Sequence, residues 1–355
     1  MITLVFCGDL RYCPYISRYT ERLEKKKVDF QVVFWNRAGE DLNLPENYIF
    51  YNEKSNLALS KISRLKDFVG FYFWLNKTLS RQKPEKIILL STLTGIFCRR
   101  YIRKSKCEYV YDIRDYSYEH IKPYYSIEKK LIKNSSFTAI SSKGFQNFLP
   151  PHNYVIAHNF NRGEIIKDIV FEKKTTCPLK IVWNGVMRFF EYQKLYIDAL
   201  KNDDRFVLYY HGDGPELNKY IEYCNKNSIR NVVFTGAYQK SDKPQLVKDA
   251  DIINNAYGYL SNAGNKLKYA VSNRFYDGAI YRAPQFVEPE GYKTRWGAEA
   301  GIASSFTLDE HFADQLYFYY QSIDEAQFES NCKEFLMNVL REDDEYIRRI
   351  DEFCS

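Results

Sequence analysis

Ser272-Asn273-Arg274-Phe275-Tyr276-Asp277 brings an amide, a guanidinium and a carboxylate together within about a turn and a half of chain. The Ser-Asn pair is turn-prone. The residues after it read as a short helix that breaks at Ala283-Pro284, where an apolar strand resumes. A carboxylate near the start of a helix that opens from a strand-end loop suits hydrogen bonds to ligand hydroxyls. The first amides of such a helix suit phosphate oxygens.

Other clusters offer related chemistry. In Trp183-Asn184-Gly185-Val186-Met187-Arg188, a glycine at a strand end precedes a cation, and Lys194 follows near the next helix start. Backbone amides with two cations form a diphosphate cradle. Cations after a strand can equally be plain surface residues. Tyr111-Asp112-Ile113-Arg114-Asp115 puts three charges on an apolar strand end, which must pair or bind something. Either Arg114 pairs locally with Asp112 or Asp115, or the group faces a ligand, with His120 following. Gly8 after the first strand, with Arg11, allows close approach of a ligand beside a helix expected to start near Pro14. A plain turn is the other reading. The loop is not G-x-G-x-x-G, so a dinucleotide is disfavoured. Tyr238, after Thr235-Gly236, stands where backbone groups can read a base edge. Asn254–Gly258 and Asn262–Lys266 add amide-rich loops suited to hydroxyl-rich ligands. Eight Cys without a C-x-x-C pair and five His without ligand spacing give no metal site and no disulfide frame.

These residues need strand ends to hold them, and the pattern supplies many. Apolar runs alternate with amphipathic helical stretches, as in a parallel α/β sheet covered on both faces. Strands are expected at Ile2–Cys7, Phe30–Trp35, Lys86–Leu90, Tyr109–Ile113, Phe137–Ile140 and Tyr154–Ala157. After a charged stretch the alternation restarts with Lys180–Trp183, Phe206–Tyr210, Val232–Thr235, Ala250–Asn254, Gln285–Val287 and Gly301–Ala303. The expected organisation is a Rossmann-like domain over 1–164, a second over 165–335, and a final helix over 336–355 packing back on the first. Its Arg341–Glu345 charge run reads as a solvated face.

The chain has 355 residues, enough for two cores, and a net charge of +6. Residues 1–160 hold 26 Lys and Arg against 15 Asp and Glu, a balance of +11; the remainder holds 25 against 30, or −5. The basic half is therefore drawn to an anionic partner such as a membrane surface or a pyrophosphate. Nothing resembles a nucleic-acid module. Leu57–Arg81 reads as a helix whose aromatics, Phe68 to Trp74, are bracketed by Lys61, Arg64, Lys77 and Arg81. That pattern fits a membrane-surface contact or a buried helix with snorkelling ends. No signal peptide or transmembrane run is present, so a cytoplasmic protein, peripheral at most on the inner face of the plasma membrane, is expected.

Taken in order, the motifs resemble those of GT-B glycosyltransferases of group 1, the GT4-like type found in bacterial capsule, exopolysaccharide and O-antigen synthesis. Ile181–Gly185 is similar to the family's first strand and glycine loop of the second domain. His211-Gly212-Asp213-Gly214-Pro215-Glu216 is similar to its G-x-G-P-E turn, and Asn231–Gly236 to its N-V-x-F-x-G strand. Ser272–Val287 resembles P-N-K-x-x-E-x-x-x-x-G-x-P-V-I, with Arg274 for Lys and Asp277 for Glu. Asp112–Asp115 resembles a D-x-R-D motif.

The resemblance implies two Rossmann-like domains facing a central cleft. It implies sugar transfer from a nucleotide-sugar donor, UDP- favoured over GDP-, to a saccharide or lipid-linked acceptor, with retention and without an essential metal or cofactor. Donor residues would be Gly185, Arg188, Lys194, Tyr238, Asn273, Arg274 and Asp277, the last holding the ribose. Asp115, Arg114 and His120 would serve catalysis, and Gly8 and Arg11 the acceptor. The sequence departs from the family at Tyr269, where the first Glu of E-x7-E would stand, and at Val186, where an Arg is usual. A GT-B nucleotide-sugar 2-epimerase and a non-catalytic sugar-nucleotide-binding subunit are the alternatives.

Overall fold

A computed structural model describes residues 1–55, 61–165, 169–257 and 264–355; for 61–64 and 264–266 it describes the backbone alone. The expected helix start at Leu57, the side chains of Lys61 and Arg64, Gly258, Asn262–Ala263, and the side chains of Gly264–Lys266 lie outside the described residues. The chain divides into two compact units, Met1–His158 with Glu342–Ser355, and Asn159–Arg341.

In the first unit, β1 (Ile2–Phe6), β2 (Phe30–Trp35), β3 (Tyr48–Tyr51), β4 (Lys86–Leu90), β5 (Glu108–Ile113), β6 (Phe137–Ile140) and β7 (Tyr154–Ile156) form one parallel sheet. Its order is β3-β2-β1-β4-β5-β6-β7. Helices α1 (Ser17–Lys25), α2 (Lys61–Gln82), α3 (Thr92–Ser105) and α4 (Lys122–Asn134) join the strands. The order reverses between β1 and β4, so a crevice opens beyond their carboxyl ends. The strands are near-continuous apolar runs because both sheet faces are covered. On one face α2 presses Phe71 flat against Trp35, with centroids 5.2 Å apart, and the outer side of α2 leaves Leu65, Val69 and Phe73 exposed.

The second unit repeats the plan with β8 (Leu179–Asn184), β9 (Phe206–His211), β10 (Val232–Gly236), β11 (Ile252–Asn254), β12 (Gln285–Val287) and β13 (Ala303–Ser305). Its parallel sheet runs β10-β9-β8-β11-β12-β13, and the order reverses between β8 and β11. Its helices are α5 (Phe190–Leu200), α6 (Leu217–Lys226), α7 (Lys243–Lys248), α8 (Gly264–Tyr269), α9 (Asn273–Ile280), α10 (Tyr292–Glu299) and α11 (Phe312–Ser322), followed by the start of α12 (Glu325–Cys354). Tyr196, Phe275, Tyr276, Phe286 and Phe335 are among the rings that fill its core.

Several details depart from the sequence reading. β3 is an additional edge strand of four half-buried residues, too short to carry a pattern. The last strand begins at Ala303 because Gly301 takes a left-handed φ of +63° at the end of α10. Between β6 and β7, where the alternation calls for a helical stretch, the chain makes only a 3-10 turn, Lys143–Asn147. The Arg341–Glu345 run is a solvated face only in part, through exposed Arg341, Asp344 and Glu345. In the first unit Asp343 is 1% exposed and pairs with Arg18, and Glu342 pairs with Lys143 and, at 2.8 Å, with His158. Tyr346, Ile350 and Phe353 then enter the core of that unit at helical spacing.

Candidate functional site

The carboxyl ends of β8 and β11 flank the switch point of the second sheet, and α9 delivers two charges there. Arg274 lies flat over Trp183, its guanidinium carbon 3.4 Å from the ring centroid, and 5.0 Å from that of Tyr257. Its Nη1 donates to the Asn184 carbonyl at 3.0 Å, whereas Nε and Nη2 are buried without a partner among the described residues. Burial lowers its pKa from the ordinary arginine value. Asp277, one turn on, is 2% exposed and receives Asn184 Nδ2 at 3.4 Å. Asn184 Oδ1 is also buried and unpartnered among the described residues.

Lys243 completes this cluster. Its Nζ stands 2.8 Å from Asp277 Oδ1 and 2.8 Å from Glu164 Oε2. Burial works against the ammonium, but the two carboxylates outweigh it and hold its pKa above the ordinary lysine range. Burial likewise pushes the Asp277 carboxyl up, with Lys243 opposing. Glu164 adds a smaller upward push on Asp277, while on Lys243 the two carboxylates together prevail over burial.

The strand-end glycines set the shape of the neighbouring loop. Gly185 has φ +136° and open space where a side chain would project. Gly212 has φ +142°, and a Cβ there would lie 1.9 Å from the Gly185 carbonyl oxygen. The loops after β8 and β9 are thus stacked backbone on backbone, with Gly185 donating to the His211 carbonyl at 2.9 Å. The start of α5 is partly satisfied from within, since Glu216 accepts the Phe190 amide at 3.1 Å. Arg188 is exposed and lies 4.9 Å over the Phe189 ring. Lys194 is paired on the surface with Glu191 at 2.5 Å. Asn273 is exposed at the start of α9, and half-buried Tyr238 contributes to the charge environment of Arg274. The structure thus joins Arg274, Asp277 and Asn184 directly, but turns Lys194 to Glu191.

In the first unit the charges on β5 separate into two roles. Arg114, for which the sequence leaves local pairing and a ligand-facing role both open, is turned inward. It donates from Nε to Asp112 Oδ1 at 2.6 Å, from Nη1 to the Ala157 carbonyl at 2.6 Å, and from Nη2 to Asp112 Oδ2 at 2.9 Å. Tyr19 adds a hydroxyl to Asp112 at 2.7 Å, and Tyr15 lies 4.3 Å beneath the guanidinium. The local Asp112–Arg114 ion pair is therefore the one realised. Asp115 and His120 are exposed on the loop that follows, where His120 stacks near Tyr116 with centroids 6.3 Å apart. Arg11 is held by Asp9 at 2.8 Å and Glu40 at 3.2 Å. Gly8 is buried against the Phe6 ring, and α1 starts only at Ser17, after two 3-10 turns, so its first amides lie further along than Pro14.

Sequence reasoning missed Lys243 and Glu164. A signal existed for Lys243: a cation in the first turn of a helix opposes the helix dipole and calls for a carboxylate elsewhere. It also missed the buried Lys293–Glu288 pair at 3.0 Å, beside Tyr257. Among the described residues no group of three or more His, Cys, Asp or Glu could hold a metal ion, and all eight cysteines are free thiols.

No protein-family model and no curated protein sequence matches the chain. Solved structures do. A lipopolysaccharide outer core galactosyltransferase, WaaB, in its apo form, shares 15% identity over 94% of this chain and 95% of its own, with a TM-score of 0.61. HepE of Anabaena in complex with UDP and glucose shares 12% identity over 98% of each chain, with a TM-score of 0.63. Sucrose-phosphate synthase from Thermosynechococcus elongatus shares 8% identity over 100% of this chain and 94% of its own, with a TM-score of 0.67. With two parallel α/β sheets of doubly wound order and these neighbours, the chain has the GT-B fold of two Rossmann-like domains.

Proposed function

We propose that the chain is a glycosyltransferase that moves a sugar from a nucleotide-sugar donor, UDP- favoured over GDP-, to a saccharide or lipid-linked acceptor in surface polysaccharide synthesis. One observation carries this reading. At the switch point of the second unit, Arg274 and Asn184 keep buried polar atoms unpartnered among the described residues, next to the Asp277 carboxylate. Buried polar capacity of this kind is costly unless a ligand meets it. The structure of HepE with UDP and glucose lends support at the level of the fold.

In this reading Asp277 holds the ribose hydroxyls, the backbone near Tyr238 meets the base, and Asn273 lies beside the nucleotide. Gly185 lets the backbone approach the diphosphate. Arg188, Arg274 and Lys194 offset the charge that grows on it as the bond from the anomeric carbon to the phosphate oxygen breaks, with no resident metal required. Transfer retains the anomeric configuration. On the first unit Asp115 takes the acceptor hydroxyl proton, His120 assists, and Gly8 and Arg11 line the acceptor side. Arg114 acts as a positioning residue beneath Asp115. Among the described residues no helix is long and apolar enough to cross a membrane; the basic first half brings the enzyme to the anionic inner face of the plasma membrane.

The test is incubation with a panel of nucleotide sugars and oligosaccharide or lipid-linked acceptors, following release of nucleoside diphosphate and gain of mass on the acceptor. Transfer from one donor, weakened by Asp277→Asn, is the expected result. Tight UDP or GDP binding with no transfer from any donor would overturn the enzymatic reading.

A further inference from the structure

A half-open cavity of about 910 Å³ lies in the first unit between the carboxyl-terminal halves of α3 and α4, with Tyr72 of α2 also lining it. Arg99, Arg100, Arg103, Lys106 and Lys130 line it, and no carboxylate does. Among the described residues none of these five cations forms an ion pair. Elsewhere in the unit the buried or half-buried arginines Arg18, Arg22 and Arg114 are paired with carboxylates.

Helix dipoles explain only part of this cluster. Arg103 falls in the last turn of α3, where a cation is favoured, but Arg99 and Arg100 precede that turn and Lys130 precedes the last turn of α4. Two helices and the residue that follows α3 thus converge five exposed like charges on one volume, and an entering anion would relieve their mutual repulsion. The cavity is also remote from the residues assigned to the acceptor. Cys107 and Tyr109, which line it, stand at the amino end of β5, whereas Asp115 follows the carboxyl end. A six-residue strand separates the two by roughly 20 Å.

We propose that this cavity is a separate binding site for a phosphate-bearing ligand carrying at least two negative charges. The shared chemistry fits a soluble polyphosphate group or the headgroups of anionic phospholipids. Tyr72 lines the cavity, and its neighbours Leu65, Val69 and Phe73 form an exposed apolar stripe on α2, which suits the second source. The site is independent of the transferase reading and is tested without turnover.

The test titrates inorganic pyrophosphate by calorimetry at low salt and sediments the protein with vesicles of phosphatidylcholine, with and without phosphatidylglycerol. The triple variant R99Q/R103Q/K130Q is compared with K104Q/K129Q/K133Q, which removes the same charge from exposed positions of the same helices outside the cavity. Pyrophosphate binding weakened at least about tenfold in the first triple alone identifies a soluble phosphate site. Sedimentation with phosphatidylglycerol vesicles lost in the first triple alone, without pyrophosphate binding, identifies a headgroup site. Equal weakening in both triples, no weakening in either, or no binding of either probe by the unaltered protein overturns the proposal.

Discussion

Lys243 bridges Asp277 and Glu164, 2.8 Å from each, so the carboxylate assigned to the ribose already has a cationic partner inside the second unit. Removing the lysine would leave two carboxylates close together with one of them 2% exposed. Lys243→Met should therefore destabilise the protein by about 3 kcal/mol, because an uncompensated charge remains buried. Adding Asp277→Asn should recover part of that loss. Urea denaturation of both single variants and the double variant checks the coupling; strictly additive effects would show that the pair does not interact.

Binding separates the two partners differently. A ribose that hydrogen-bonds Asp277 loses the charged acceptor, and one of its two acceptor oxygens, in Asp277→Asn, and UDP affinity should fall about tenfold, equivalent to one charged hydrogen bond. Lys243→Met, assayed at a temperature where it is folded, should bind UDP as well as or better than the unaltered chain, since it frees Asp277 Oδ1. Calorimetric titration of both variants reads this directly. Loss of UDP affinity in Lys243→Met but not in Asp277→Asn would assign the contact to the lysine instead.

Arg274 makes a second, planar demand. Its guanidinium lies 3.4 Å over Trp183 with Nε and Nη2 still unpartnered among the described residues. Arg274→Lys keeps the charge but offers no flat face and gathers its donors on a single nitrogen. It should shift the Trp183 emission and weaken nucleoside diphosphate binding about tenfold. Fluorescence and titration on the same sample distinguish this from a stacking role alone, which would move the emission and leave the affinity intact.

The two aspartates of β5 and its following loop should respond in opposite ways. Asp112 is 0% exposed and holds Arg114 through two bonds, so Asp112→Asn leaves a buried guanidinium underpaired and should destabilise by about 3 kcal/mol. Asp115 is exposed, and Asp115→Asn should change stability by less than about 0.5 kcal/mol. As the acceptor's base, however, its loss should slow transfer about 100-fold. Denaturation midpoints paired with initial rates decide between the roles; an inactive and unfolded Asp115→Asn would contradict them.

The differing legibility of these groups has a physical basis. β2, β4, β6 and β12 could be bounded to the residue, because a doubly covered parallel strand is a solid apolar run between turn-forming residues. Asp277 and Arg274 stood out because charges in a helix buried from Arg274 to Ile280 violate the apolar pattern. Lys243 and Glu164 did not, since an ion pair between residues 79 apart leaves no local period. The inward turn of Arg114 depends on Tyr346, 232 residues further on, and so on a helix whose charge run resembled a solvated face. Spacing reveals faces of single elements, whereas partners across elements are fixed only by packing.

Glu128 gives a pH dependence that follows from burial alone. It lies on α4, 0% exposed, and neither carboxyl oxygen has a hydrogen-bond partner among the described residues. Burial first, and then the nearby Glu119 carboxylate, push its pKa up to about 9 from the ordinary 4.5. The folded state therefore keeps this proton through neutral pH, while the unfolded chain releases it near 4.5. Between these two values the unfolded state binds fewer protons, so stability falls as pH rises, by up to about 1.4 kcal/mol per pH unit from this group. Below 4.5 both states are protonated and the contribution is complete. Glu128→Gln removes the titration but keeps the shape, and its stability relative to the unaltered chain should climb steadily from pH 5 to pH 9. Urea denaturation of both proteins at pH 5.5, 7 and 8.5 measures the difference. A gap that stays constant with pH would mean that Glu128 is ionised in the folded protein and has found a partner.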